Sequence, residues 1–155
     1  MNVIIRSIEQ PTYSIHKKDP SDFLINGLME LLDQYQRLEI AMKLARGRRK
    51  KAQGGGYAGG KAAYGYHVQK GTKQLSISPE NARAVQRVFT IRKQYPSWSL
   101  SQIASQLNLE GFQTAQGKEF TKVQVKRILD REPFYKGQYS YADVTCLNGQ
   151  HPAII

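Results

Sequence analysis

Apolar residues recur at helical spacing from residue 24 onwards and indicate one long helix over residues 19–53. The segment Asp19-Pro20-Ser21-Asp22 starts this helix, because short polar side chains cap a helix and acidic ones suit its positive end. The apolar positions then step alternately by four and three residues, which is typical of helices that pair. We expect a dimerisation seam rather than a helix docked on its own domain, formed by Leu24, Leu28, Leu31, Tyr35, Leu38 and Met42.

The segments on either side of that helix have different patterns. Within residues 1–18, the short apolar run from Val3 to Ile8 predicts a strand that Pro11 ends. Residues 54–63 are rich in glycine, and this composition predicts a flexible linker. We therefore expect the chain to consist of an N-terminal remnant, a long helix, a linker and a further domain over residues 64–155.

A small hairpin is predicted at the start of this further domain. Tyr64 to Val68 and Leu75 to Ile77 are short runs of strand-forming residues, and the turn Lys70-Gly71-Thr72 lies between them. Helical patterns precede and follow the hairpin. The expected fold is therefore mainly α with a small β component.

Three helices are predicted after the hairpin. Each begins with a polar capping residue that has Pro directly after it or Gln three residues later, and the three starts are Ser78-Pro79, Ser99 to Gln102 and Thr121 to Gln124. The first helix is expected to reach about Tyr95, the second to end near Gly111 and the third to stop before Pro133. Their apolar faces can close a small core to which Phe89 and Trp98 contribute. The last two helices have the outline of a helix-turn-helix unit with a long connection.

The charge of the chain is distributed unevenly. The formal net charge is +11. Residues 1–42 hold four Lys and Arg against six Asp and Glu, a net charge of −2, whereas residues 43–155 hold nineteen against six, a net charge of +13. Such asymmetry is expected when one part of a chain packs against protein and the other meets a polyanion. Nucleic acid and an anionic membrane both fit, and a merely soluble basic protein is the alternative.

Two groups of residues are candidates for binding DNA. The first is the cationic end of the long helix, which would cross phosphates and which contains Arg46, Arg48, Arg49, Lys50 and Lys51. The second is the last predicted helix, whose first turn is expected to contact bases in the major groove through Thr121, Lys122 and Gln124. The remaining candidates are Lys126 and, near the DNA backbone, Arg127, Arg131 and Lys136. For each residue taken singly, an ordinary exposed polar position is the alternative.

Other classes of function find little support in the sequence. No apolar run approaches the roughly 18 residues that a membrane span needs, and the N-terminal apolar run is too short for a secretory signal. Cys146 is the single cysteine, which excludes an internal disulfide and a multi-cysteine zinc site. We expect a cytoplasmic protein without a metal, a cofactor or a small-molecule substrate. RNA or membrane binding through the cationic helix is a weaker alternative, since interleaved aromatic and bulky apolar residues are lacking there.

An ordered series of short motifs resembles the serine site-specific recombinases, the resolvases and invertases. Gln34 to Ile40, Lys43 and Gly47-Arg48 look like the start of the long helix in that family. Further motifs are similar to the recombinase domain of its large members, in the order Lys51 to Gly54, Gly59-Gly60, Tyr64-Gly65-Tyr66, Ile103-Ala104, Leu107-Asn108, Gly111, Val125 to Leu129, Tyr135-Lys136-Gly137 and His151 to Ile155. The series covers nearly the whole chain.

The resemblance implies an activity for the family and a part of it for this chain. In the family, a serine of an N-terminal domain attacks a DNA phosphodiester and forms a phosphoserine link, subunits pair through the long helix, and four of them exchange strands. Residues 1–18 match the edge of that catalytic domain, so we expect a truncated chain that lacks the nucleophile and is inactive alone. Arg37 and Lys43 match helix arginines and are vestigial candidates for phosphate contacts.

The chain also departs from the family pattern. Gln36 stands where the family usually has Glu, Lys43 where it has Arg, and Ala63 where it has Pro, and the cysteine-rich zinc ribbon of large members is missing. We therefore expect a DNA-binding part of a site-specific serine recombinase that pairs with itself or with full-length subunits. The alternative is a stand-alone helix-turn-helix protein that acts as a regulator or competitor at recombination sites.

Overall fold

The computed structural model of this chain describes residues 19–155. The strand predicted from Val3 to Ile8 and the remnant assigned to residues 1–18 lie outside them. Nine elements follow in chain order: α1 Pro20–Gln53, β1 Tyr66–Val68, β2 Leu75–Ile77, α2 Pro79–Gln94, α3 Leu100–Leu109, α4 Lys122–Leu129, α5 Glu132–Tyr135, β3 Tyr139–Tyr141 and β4 Val144–Cys146. The mainly α fold with small β hairpins confirms the predicted fold class.

The chain divides into two compact units, Met1–Arg46 and Gly47–Ile155. In the first unit, the described residues after Asp19 are helical, with Asp19 Oδ1 accepting a hydrogen bond of 2.9 Å from the backbone N–H of Ser21. The predicted seam side chains from Leu24 to Met42 are each more than half exposed.

The second unit has a hydrophobic core that α2, α3 and α4 close together. Its fully buried side chains come from all three helices and include Val85, Ile91, Ile103, Leu107 and Val125. Phe89 and Trp98 pack against this core as partly buried side chains, which confirms their predicted contribution. The long α3–α4 connection is fixed by Asn108, whose side chain accepts a hydrogen bond from the backbone N–H of Phe120 (2.7 Å) and donates one to its carbonyl oxygen (3.0 Å).

The first hairpin and the three helices lie where the sequence predicts them. β1 and β2 are antiparallel, and Tyr66 pairs with Ile77. Ser99 caps α3 with the predicted reciprocal bonds: its side chain accepts from the backbone N–H of Gln102, and its own N–H donates to Gln102 Oε1 at 2.8 Å. Ser78 precedes α2 with Pro79 in the first turn.

The structure contains a second hairpin and a short helix that the sequence analysis did not predict. β3 and β4 are antiparallel and have three residues each, too few for an alternating pattern to be visible. Their turn contains Ala142 at a φ of +52°, a conformation that Gly or Asn adopts more readily, so the usual turn residues are missing. α5 has four residues and contains Pro133 in its first turn.

Residues 55–58 of the glycine-rich segment after α1 are packed, in contrast to the flexible linker predicted from its composition, whereas Gly59 and Gly60 are exposed. Ala52, Ala58 and Tyr139 form a second small apolar cluster, and Gly55 and Gly56 are buried. The backbone N–H of Gly55 donates to the carbonyl of Ala52 at 2.8 Å, and that of Gly56 donates to Lys51 at 2.9 Å. The prediction from composition was wrong for these residues because glycine also permits two backbones to approach closely. Such close packing requires an ordered backbone and not a flexible one.

Candidate nucleic-acid interface

The first turn of α4 is fixed by a capping box. The backbone N–H of Thr121 donates to Gln124 Oε1 at 2.8 Å, and the Thr121 hydroxyl is hydrogen-bonded to the same oxygen. Two of the three predicted base-contacting residues are therefore engaged within the helix end itself. Lys122 is exposed beside them. Gln124 is half-buried, and its amide oxygen is occupied while its NH₂ group lies on the opposite side of the amide carbon.

A groove of about 470 Å³ lies between α4, the segment before β1 and the α3–α4 connection. Gln124, Arg127 and Arg131 contribute to it from the helix and its C-terminal end, so the structure brings these three predicted residues together. The other lining residues come from residues 61–66, Asn81, residues 114–116, Phe120, Ile128 and Tyr135. We call this space the α4 groove.

The α4 groove has a positive charge that its tyrosines do not offset. Lys61, Arg127 and Arg131 are exposed at the groove. Burial raises the pKa of Tyr64 to about 12, and it likewise raises the pKa of Tyr66 to about 12, because an ionised phenol loses its hydration there. Both phenols therefore stay neutral and donate hydrogen bonds, Tyr64 to the carbonyl of Gln113 and Tyr66 to that of Pro152. The groove can attract an anion such as a DNA phosphate.

Two smaller cavities extend from the α4 groove. A cavity of about 330 Å³ shares Lys61 and Arg131 with the groove and reaches Tyr139 and Tyr141 of β3. A third cavity of about 80 Å³ shares Tyr57 and Tyr139 with the second and ends at the last turn of α1. The three linings contain one carboxylate, that of Asp130. Their cations are Lys51, Lys61, Lys73, Arg127 and Arg131. The three neighbouring cavities thus extend from α4 to the end of α1.

The part of the α1 cationic end that belongs to the second unit is Arg48–Lys51, which we call the cationic helix end. All four side chains belong to exposed residues. Arg49 Nε lies 3.1 Å from Asp143 Oδ1 on the β3–β4 turn. Lys51 packs against the turn that follows α1, because a Cβ placed on Gly56 in that turn would be 3.0 Å from Lys51 Cγ. Arg48 and Lys50 carry their charge without a salt bridge to a described residue.

The remaining predicted residues occupy other places. Lys126 is exposed on α4 and does not line the groove, and Lys136, directly after α5, pairs with Glu132 at 2.6 Å. Arg37, Lys43 and Arg46 lie in the first unit, where Lys43 pairs with Glu39 at 2.8 Å.

Two residues of this surface were missed by the sequence analysis. Lys61 lines both larger cavities, yet it lies in the segment that was interpreted as a linker. Val123 lies in the first turn of α4 and is 48% exposed. The helical period carries the signal for Val123, because it lies off the stripe of Val125, Ile128 and Leu129 that faces the core.

These features define a class of module. The second unit has a core closed by α2, α3 and α4, with the short helix α5 and two hairpins, and a cationic groove lies beside α4. Residues 79–155 match the family model described as Recombinase. None of the helices within residues 19–155 is both long enough and apolar enough to cross a membrane.

Two solved structures have a fold similar to that of this chain. One is described as "Crystal Structure of a LSR-DNA Complex"; it has a TM-score of 0.59 and 23% identity over 73% of this chain and 34% of the solved chain. Another is described as "Sequence Requirements of the Listeria innocua prophage attP site" and has a TM-score of 0.57, also with 23% identity, over 73% and 46% of the two chains. The present chain thus spans less than half of either. No protein with a curated description matches the sequence.

Proposed function

We propose that the second unit binds duplex DNA as the DNA-binding part of a site-specific serine recombinase. This proposal rests on the cationic surface that extends from the α4 groove along the two smaller cavities to the cationic helix end. A DNA duplex has a regular line of phosphates that such a surface can follow. The match of residues 79–155 to the Recombinase family model supports it, as does the fold similar to that of a chain described in complex with DNA.

Within this proposal, α4 reads bases and its surroundings hold the backbone. Lys122 and Val123 are the exposed side chains of its first turn; a lysine can bond guanine, and an apolar side chain can contact the thymine methyl group. The NH₂ group of Gln124 can donate to a base while its oxygen keeps the capping bond. Arg127, Arg131 and Lys61 contact phosphates from the α4 groove, with Lys126 and Lys136 as further contacts.

The cationic helix end supplies sequence-independent phosphate contacts. The variant Arg48→Ala/Lys50→Ala removes two of them and leaves the Arg49–Asp143 pair and the Lys51 packing intact. In mobility-shift titrations over a salt series, we expect steeply salt-dependent binding by the natural chain, because bound phosphates release counterions. The slope of log affinity against log salt should fall by about 1.8 in the double variant, for specific and random duplexes alike.

The matched control for this experiment is Arg83→Ala/Lys93→Ala. It removes one arginine and one lysine from α2, where both side chains are exposed and neither lines the three cavities. The two variants have the same net charge, so a difference between them reports position. Binding that does not respond to salt, or an equal loss of slope in both variants, contradicts the proposal.

We further propose that the first unit pairs with a second copy of the chain, or with other recombinase subunits, through the seam from Leu24 to Met42. The support is the alternating spacing of these side chains together with their exposure on a continuous helix. Leu38→Ala should weaken the dimer by about 10- to 100-fold in sedimentation equilibrium, because it removes a leucine side chain that pairing would bury. Leu44→Ala is the control, since Leu44 is similarly exposed but lies off the seam. Equal effects of the two variants would remove the seam from the proposal.

A further inference from the structure

Residues 146–155, the C-terminal segment, hold the turn that ends α1. The backbone N–H of Gln150 donates to the carbonyl of Gly55 at 2.9 Å, and its side-chain Nε2 donates to the carbonyl of Gly54 at 2.9 Å. One residue thus satisfies two carbonyls of the turn that follows α1, where no further helical turn supplies N–H partners. The turn is fixed from a segment almost a hundred residues away in sequence.

Gly55 allows this contact because it has no side chain. Its φ is +73°, and a Cβ built on it would lie 2.7 Å from the Asn148 carbonyl oxygen and 3.3 Å from Cys146 Sγ. Any other residue would force the two backbones apart and strain its own conformation. This glycine therefore serves close packing between the turn and the C-terminal segment.

The β3–β4 hairpin makes a second attachment to the same region. Arg49 pairs with Asp143 on the hairpin turn. Ala52 is fully buried in the apolar cluster of Ala58 and Tyr139, and the backbone N–H of Ala58 donates to the Tyr139 hydroxyl at 2.7 Å. The cationic helix end is thus held on one side by the hairpin and beyond its last residue by the C-terminal segment.

The C-terminal segment is itself anchored in the core beside α4. The Tyr66 hydroxyl donates to the Pro152 carbonyl at 2.7 Å, and the backbone N–H of Ile154 donates to the Tyr135 carbonyl at 2.9 Å. His151 is buried, and its Nε2 donates to the Phe134 carbonyl at 2.8 Å. Both Tyr66 and Tyr135 line the α4 groove. A continuous path of packed and hydrogen-bonded residues therefore connects that groove with the cationic helix end.

We propose that α4 and the cationic helix end form one rigid DNA-reading body, which selects duplexes whose two contacted segments have a single fixed spacing. This inference rests on the proposed DNA binding and adds a rule for the binding site. A flexible linker at residues 54–63 would instead allow the two contacts to adapt to several spacings.

The experiment begins with a pool of random-sequence duplexes. Duplexes that bind the natural chain are enriched, and phosphate-ethylation interference locates the contacted phosphates; those that lose their interference in Arg48→Ala/Lys50→Ala belong to the cationic helix end. One to three base pairs are then inserted between these phosphates and the segment read by α4. Each inserted pair rotates one segment by about 34° relative to the other. The rigid body should lose affinity by about tenfold or more, down to the level of the double variant.

A second variant tests the attachment directly. Gly55→Ala should push the turn away from Asn148 and make binding tolerant of insertions, while the bases preferred by α4 stay the same. Gly59→Ala is the matched control: its φ is +112°, but a Cβ there meets no atom within 4 Å, so it changes backbone freedom without a collision. It should remain intolerant of insertions. If Gly55→Ala does not fold, the insertion series with the natural chain decides alone.

The outcomes separate the two proposals. If no duplex is enriched and binding is salt-independent, DNA binding fails and the inference fails with it. If duplexes are enriched but insertions of one to three base pairs are tolerated by the natural chain, DNA binding stands and the rigid body is overturned. Insertion tolerance in Gly55→Ala but not in Gly59→Ala supports the rigid body.

Discussion

The two units of this chain use apolar side chains in opposite ways. In the second unit, Leu107 and Val125 are completely buried and hold three short helices together. In the first unit, Leu31 and Leu38 are 62% and 65% exposed on a continuous helix. Burial stabilises a fold by removing apolar surface from water, so the second unit has its own source of stability. The described helix of the first unit needs a further surface to gain the same benefit.

This difference extends to polar contacts. In the second unit, hydrogen bonds join residues distant in sequence, such as Tyr64 to Gln113 and Gln150 to Gly54. The first unit shows pairs within the helix, such as Lys43 with Glu39. Exposed pairs of this kind contribute little to stability. The cationic residues that we assign to DNA binding therefore extend from a backbone fixed by long-range contacts, and seam residues of the first unit are displayed on a regular helix.

The largest expected effect comes from Leu107→Ala, which should lower the free energy of unfolding of the second unit by about 2–5 kcal/mol. The fluorescence of Trp98 reports on this unit alone, because it is the single tryptophan of the chain and packs on this core. Leu31→Ala should change the free energy of unfolding of the second unit by less than about 0.5 kcal/mol, since Leu31 belongs to the first unit. Similar losses in both variants would show that the two units fold together.

A smaller effect is expected from Gln124→Glu, which keeps the capping oxygen but replaces the NH₂ donor with an acceptor. Duplexes enriched by this variant should differ from those of the natural chain at one or two positions, with a discrimination of about 1–3 kcal/mol. Gln36→Glu makes the same chemical change on the exposed helix of the first unit and should leave the preferred bases unchanged. Unchanged preferences in both variants would restrict Gln124 to its capping role.

Much of the fold follows from short-range signals that the sequence displays. Ser99 with Gln102 and Thr121 with Gln124 predict where two helices start, because a capping box needs no distant partner. The second hairpin could not be predicted in this way. Its strands have three residues each, and its turn at Ala142 lacks the usual glycine.

The candidate site was predicted in part. The cations of α4 were recognisable because they surround an apolar stripe, and Arg127 and Arg131 do meet at one groove. The roles of Lys61 and Gly55 were not recognisable, because each depends on contacts with residues more than fifty positions away. The sequence alone does not show whether a glycine at residue 55 makes the backbone flexible or allows close packing against another segment.

The smallest expected effect concerns the link between α2 and α3. Arg87 donates to both carboxylate oxygens of Glu110, at 2.7 and 2.5 Å, and these hydrogen bonds hold the pKa of Glu110 below its usual value of 4.5. A lowered pKa in the folded state stabilises the fold above pH 4.5, and this contribution is lost as the pH falls through the lowered pKa. Glu110→Gln should therefore cost up to about 1 kcal/mol at pH 7 in Trp98-monitored unfolding, and the difference should shrink in acid. Glu39→Gln removes the exposed Lys43 pair of the first unit and should change neither value. A pH-independent difference for Glu110→Gln would mean that the pair contributes by packing and not by charge.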